Sequence, residues 1–307
     1  MRNAFINTIL EACQDRDDLF VISGDAGLGV FDVFKEEYPD QFLNLGAAEQ
    51  NMIGFSAGMA MAGYKVLVYN IIPFVLYRCY EQVRNDICYQ KLPIILAGIG
   101  SGLTYAPMGM THYSVEDLGI ARTLPNLTVL SPVDPVEAQL SAHYALSASS
   151  PVYIRLAKRG EPTIHCTQQF DISKPQLLVG GDSSVTLFCH GSIGEETLHA
   201  SRILAEEGIR PRVFSVPMVQ PLDRDALLQC LQGVRTVVTV EEHYSSCGLG
   251  ATLRDIIMDS DMPCSLTTLG IPSRFIHEVH DTAGMRRLWG IDAAAIAAMV
   301  KKLWKVT

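Results

Sequence analysis

The chain has 307 residues, 48% of them hydrophobic and 19% charged, which supplies apolar side chain for one large or two ordinary folded domains and excludes a disordered chain. Its formal net charge of −9, with no basic run, excludes a surface built to neutralise nucleic-acid phosphates. No stretch approaches the roughly 20 apolar residues of a membrane helix, and the start of the chain reaches Glu11 without the apolar core of a secretion signal, so a cytoplasmic protein without membrane association is expected.

Residues 3–14 space Phe5, Ile6, Ile9, Leu10 and Cys13 along one face, the pattern of an amphipathic first helix. Residues 19–23 read as a buried strand running into the glycine-rich stretch 24–29. Its glycine spacing is not the dinucleotide fingerprint, and a plain strand-to-loop turn is expected. A short helical turn over 32–37 ends at Pro39. The apolar run Phe42-Leu43 then leads to Gly46 and an Ala, Gly and Met-rich helix as far as Gly63. Glu49 is the acid in that stretch. A carboxylate at the head of an apolar helix requires a partner, because an isolated buried charge is costly and would otherwise take up a proton. A capping box, with Gly46 as N-cap and Glu49 reaching back to a backbone N–H, is one way to supply it.

Residues 64–71 form the next expected strand, broken by Pro73. Residues 74–90 carry Phe74, Tyr77, Arg78, Tyr80, Arg84 and Tyr89, and an aromatic stripe at helical spacing ordinarily faces a core. A strand over 92–97 ends in the flexible 98–102 stretch. The loop that follows, 107–113, has no periodicity and holds His112 between Thr111 and Tyr113, a make-up that suits a site more than a scaffold. A strand over 127–131, a helix over 136–148 and a strand over 152–156 complete the first half. Arg155 sits within that last strand, where the default role is an ion pair.

The pattern fails from 160 to 175 and then restarts, with strands over 184–190, 211–216 and 235–240 and helices over 194–207, 223–231 and 294–304. The alternation argues an α/β protein made of two consecutive, mainly parallel domains: 1–160, a linker over 161–177, and 178–307. Glu241-Glu242-His243 matches neither zinc-protease spacing nor a facial triad, so no metal ligands are expected in this chain. The eight cysteines form no C-x-x-C pair and are read as reduced thiols.

Nearly the whole chain, in order, resembles the carboxyl-terminal half of the transketolases and related thiamine diphosphate enzymes. The stretches that carry the resemblance are 46–54, 81–86, 109–112 and 240–250. The resemblance implies that Glu49 hydrogen-bonds N1′ of the cofactor's aminopyrimidine ring and so promotes loss of the C2 proton. It implies an aromatic ring against that pyrimidine, supplied by Phe74 or Tyr77, and a histidine, His112, that faces cofactor and substrate. Arg155 matches the position of a phosphate-binding arginine and is expected on the substrate side. The Mg²⁺ and diphosphate site of a complete transketolase is expected on a separate amino-terminal subunit, in an α2β2 assembly that transfers a two-carbon ketol unit between sugars. The β subunit of a 2-oxo acid dehydrogenase and a noncatalytic assembly subunit are the alternatives. Two positions depart from the family: Met108 replaces an acid, and Gly100 replaces a histidine of many transketolases, which places the usual sugar phosphates in question.

Overall fold

The computed structural model describes residues 1–305 apart from Leu28 and Arg159; Leu28, which falls within the expected 24–29 turn, lies outside the described residues. Six parallel-paired strands organise the first half: β1 (Leu19–Ser23), β2 (Phe42–Asn44), β3 (Lys65–Ile71), β4 (Ile94–Ile99), β5 (Thr128–Leu130) and β6 (Val152–Leu156). β3, β4 and β6 are covered on both faces, which is why they read as nearly continuous apolar runs instead of alternating ones. Helices Arg2–Cys13 and Pro135–Ser147 pack together on one face. Helix Glu49–Met61 and the segment after Pro73 cover the other.

The second half contributes β7 (Gln176–Val179), β8 (Asp182–Cys189), β9 (Pro211–Ser215), β10 (Met218–Gln220), β11 (Thr236–Tyr244) and β12 (Ser265–Ile271). Five of these form a sheet in the order β12-β11-β8-β9-β7, parallel except for β7 against β9. The fold is two consecutive, mostly parallel α/β domains. β10 departs from that division. It pairs antiparallel with β5 and becomes the edge of a seven-stranded first sheet, Met218 opposite Leu130. A strand that short has no readable period, and nothing local announces its partner.

Two other features differ from the sequence reading. The 74–90 segment, read at helical spacing, is an α-turn, Tyr80–Gln82, between two wide turns at Pro73–Tyr77 and Val83–Cys88. The wide turns close i→i+5 bonds such as Arg78 N to Pro73 O at 3.0 Å. The 160–175 stretch carries no regular element but is tied down. Asp134, the N-cap of helix Pro135–Ser147, accepts from the N–H groups of Ile164 and His165 at 2.8 and 2.9 Å. The His165 ring stacks on Phe170 and lies 3.2 Å from Asp134 and 3.4 Å from Glu137. Among the described residues no helix is long and apolar enough to cross a membrane.

Candidate active site

Helix Glu49–Met61 starts at Glu49, with Ala48 as its N-cap. Gly46 belongs to the turn before it, at φ +67, with its N–H on the Asn44 side chain at 2.8 Å. Glu49 is therefore the first helical residue, too early for the capping box, and its carboxylate points elsewhere. It is 5% exposed and accepts from Arg78 Nη1 at 2.7 Å. The same guanidinium lies over the Phe74 ring, 4.5 Å from its centroid. One cation thus compensates the buried carboxylate and fastens it to an aromatic ring, the two contacts being made possible by the i, i+4 spacing of Phe74 and Arg78 on a helical turn.

Phe74 also meets His112 edge-on, with ring centroids 5.8 Å apart. Thr111 Oγ1 is 2.8 Å from His112 Nδ1, and among the described residues Nε2 is the ring nitrogen without a hydrogen bond. The structure therefore links Glu49, Arg78, Phe74 and His112 in one run of contacts. Tyr77 is turned away from them, its hydroxyl against Ser114 Oγ and the Glu116 carboxyl inside the protein. Burial pushes that hydroxyl up from its ordinary range. A buried acceptor beside an aromatic face fits the polar edge and the plane of an aminopyrimidine, and Phe74, not Tyr77, supplies the face on the Glu49 side.

Arg155 lies away from this group. Expected to hold an anionic end of the substrate, it is 1% exposed and spans the two domains. Nε donates to Asp117 Oδ2 at 2.7 Å, and Nη2 donates to the carbonyls of Ser114 and Glu242 at 3.1 and 3.0 Å. Burial works against the charge on Asp117, but Arg155, by its charge and its hydrogen bond, outweighs it and holds that carboxyl below the usual range. His243 is itself kept neutral, because burial pulls its imidazole down to about 4. Its Nε2 accepts from Leu118 N at 3.1 Å, and Nδ1–H then donates to Tyr244 O at 3.0 Å. Glu241 accepts from Leu249 N and Gly250 N at the head of the next helix, at 2.8 and 3.1 Å. The Glu-Glu-His segment is thereby engaged in joining elements.

A cation that the sequence reading passed over is linked to His112 through an aromatic ring. Lys158 Nζ sits 4.8 Å from the centroid of the Tyr105 ring, which in turn is 6.4 Å from His112. The charge of Arg2 acts on the hydroxyls of Tyr69 and Tyr105. Tyr105 also accounts for Gly100. Gly100 has φ +94, and a Cβ there would fall 2.1 Å from Tyr105 Cδ2, so the tyrosine ring fills the place where the resemblance expects a histidine. Met108, at the other departure, is 51% exposed at the rim.

Two consecutive, mostly parallel α/β domains with a buried carboxylate beside an aromatic ring are the arrangement of the transketolase-type thiamine diphosphate enzymes. The family comparison agrees in both halves: the transketolase pyrimidine-binding domain matches residues 1–162 and the transketolase C-terminal domain matches residues 176–302. The chain belongs to the transketolase family. It is similar to a subunit of the apulose-4-phosphate transketolase of Actinobacillus succinogenes, 32% identical over 99% of this chain and 98% of that protein. The protein of the same description from Phocaeicola vulgatus is 29% identical over 92% of this chain and 93% of its own length. Among solved structures, a split-gene transketolase in the form of an inactive β4 tetramer superposes with a TM-score of 0.87 at 28% identity, covering 98% of this chain and 96% of that one.

Proposed function

We propose that this chain is the C-terminal subunit of a two-chain transketolase, which transfers a two-carbon ketol unit from a phosphorylated ketose to an aldehyde acceptor. The observation that carries the reading is the run of contacts from buried Glu49 through the Arg78 guanidinium and Phe74 to His112. Thiamine diphosphate, when bound, supplies the carbon that carries the ketol unit. Glu49 holds or releases a proton at the pyrimidine N1′, in surroundings where few water molecules compete for it. Phe74 lies against the ring plane, and His112 Nε2 hydrogen-bonds the reacting oxygen of the substrate. Lys158, half-buried and lying over the Tyr105 ring that neighbours His112, is the group that holds its anionic end in place of the enclosed Arg155.

A separate subunit provides the diphosphate and Mg²⁺ site in an α2β2 assembly. Supporting this, the helix headed by Glu49 turns Gly54, Phe55, Gly58 and Met61 outwards, and nothing lies within 4 Å of a Cβ built on either glycine. Such an apolar face beside a catalytic carboxylate suits a partner surface. Both apulose-4-phosphate transketolase relatives carry the name of a subunit, which points the same way.

The test is Glu49→Gln in the enzyme reconstituted with a diphosphate-binding subunit, thiamine diphosphate and Mg²⁺. Glutamine keeps size and part of the hydrogen bonding but cannot cycle a proton. Exchange of the cofactor C2 proton should slow by about 10²-fold or more. Wild-type exchange in an intact assembly would remove Glu49 from the chemistry, and a wild-type assembly that binds cofactor yet transfers no ketol unit would favour a noncatalytic subunit.

A further inference from the structure

The loop that carries His112 leaves the first domain at β4 and returns at Ser114, yet much of what holds it belongs to the second domain. Leu103, Ala106, Tyr113 and Val115 share an apolar cluster with Leu187, Ile276 and Met285. The neck of the loop closes through Ser114 N to Gly102 O at 3.1 Å. Just inside that neck, both backbone groups of Leu103 are taken by the second domain: its N–H donates to Glu242 Oε2 at 3.2 Å, and its carbonyl accepts from Thr282 Oγ1 at 3.1 Å. On the far side, Tyr244 N donates to Val115 O at 2.7 Å.

Glu242 is the hub of these contacts. It is 2% exposed, and its carboxylate also accepts from Ser192 Oγ at 2.8 Å and Arg286 Nε at 2.6 Å. Its own carbonyl accepts from Arg155 Nη2, which bonds Ser114 O as well, so one residue reaches both strands of the neck. Gly102 has φ +57, and a Cβ there would lie 2.3 Å from Glu242 Oε2, so the carboxylate approaches as closely as it does because no side chain intervenes. Burial raises the Glu242 carboxyl, but Arg286 outweighs it and keeps the group ionised.

We propose that Glu242 is a positioning residue for His112: the second domain, through Glu242 and with Thr282, sets the neck of the His112 loop and so the place of the imidazole beside Phe74. The step from loop position to catalysis rests on the function proposed above; the step from Glu242 to loop position does not. The experiment therefore begins with the full chain alone. Amide hydrogen exchange is followed over residues 102–115 in wild type, Glu242→Gln, Thr282→Val and Thr282→Ser. Glu242→Gln should speed exchange there by about tenfold or more, because it weakens a charge-assisted acceptor. Thr282→Val should do so by about fivefold, with Thr282→Ser restoring protection. β3, β4, β8 and β11 should keep wild-type protection.

Unchanged exchange in the loop would overturn the proposal. Equal loss of protection in β8 and β11 would also overturn it, by making Glu242 a general clamp between domains. If Glu242→Gln fails to fold, the Thr282 pair decides. In the reconstituted enzyme Thr282→Val should lower kcat and leave the apparent affinity for cofactor unchanged. Should wild-type assembly show no ketol transfer, the functional reading fails while the exchange result stands.

Discussion

Glu49 and Arg155 show how little a residue's type says about its task until its surroundings are known. Each is a charged side chain almost removed from water, but Glu49 borders an open face and shares its charge with a half-exposed arginine, whereas Arg155 is enclosed. Removing one member of a buried pair strands the other, at a cost of about 3–5 kcal/mol. Arg155→Ala should therefore appear as a loss of that order in urea unfolding, with Asp117 left uncompensated. A pure rise in KM for an anionic substrate, with stability unchanged, would return Arg155 to the substrate site. The two aromatic candidates separate in the same manner. Tyr77→Phe removes a buried hydroxyl bonded to Ser114 and should cost about 1 kcal/mol of stability. Phe74→Ala should instead weaken cofactor binding in the assembled enzyme by about tenfold, since ring contacts of this kind contribute roughly 0.5–1.5 kcal/mol beyond area. Calorimetric titration of both variants distinguishes them.

At the scale of elements, the segment between the domains is held by titration as well as by packing. Burial raises the Glu137 carboxyl from 4.5 to about 7, against the pull of His165 and its hydrogen bonds. For His165, burial opposes the charge but Asp134 and Glu137 outweigh it, and the imidazole is raised. Both groups bind protons more tightly folded than unfolded. The stability they contribute is fully present below their unfolded values and is lost as pH rises through the folded ones, so the Glu137 contribution fades between 4.5 and about 7. Wild type minus Glu137→Gln, compared by thermal unfolding across that window, should therefore fall with rising pH. A flat or rising difference would mean that the carboxyl is not titrating there. Hydrogen exchange at residues 164 and 165 should report the same loosening, because their N–H groups rest on Asp134.

At the scale of the whole molecule, the open face beside Glu49 bears on cofactor binding. On the proposed function, the chain would offer an acceptor and an aromatic plane for a pyrimidine, and the partner the site for the diphosphate and Mg²⁺. On that reading the purified chain should bind thiamine diphosphate negligibly and gain tight, Mg²⁺-dependent binding only when the partner is added. Isothermal titration of each component and of the mixture measures this, and tight binding to the chain alone would defeat the two-chain reading. The interdomain network should survive assembly, since Asp117, Glu242 and His243 are enclosed within the single chain.

What the sequence determined by itself is what local spacing carries. Apolar runs set β1, β3 and β6 to within a residue, helical period set Arg2–Cys13 and Ala293–Trp304, and the lone acid Glu49 stood out because its neighbours are apolar. It was also legible that Glu49 needs a partner. Only the tertiary structure decided that the partner is Arg78, 29 residues away, and that Phe74 and not Tyr77 flanks it. The same holds for the burial of Arg155, for β10 crossing to the first sheet, and for Leu103 resting on a carboxylate 139 residues further along. Periodicity reports which face of an element avoids water; it contains no term for the charge or backbone group that long-range packing will set against that face.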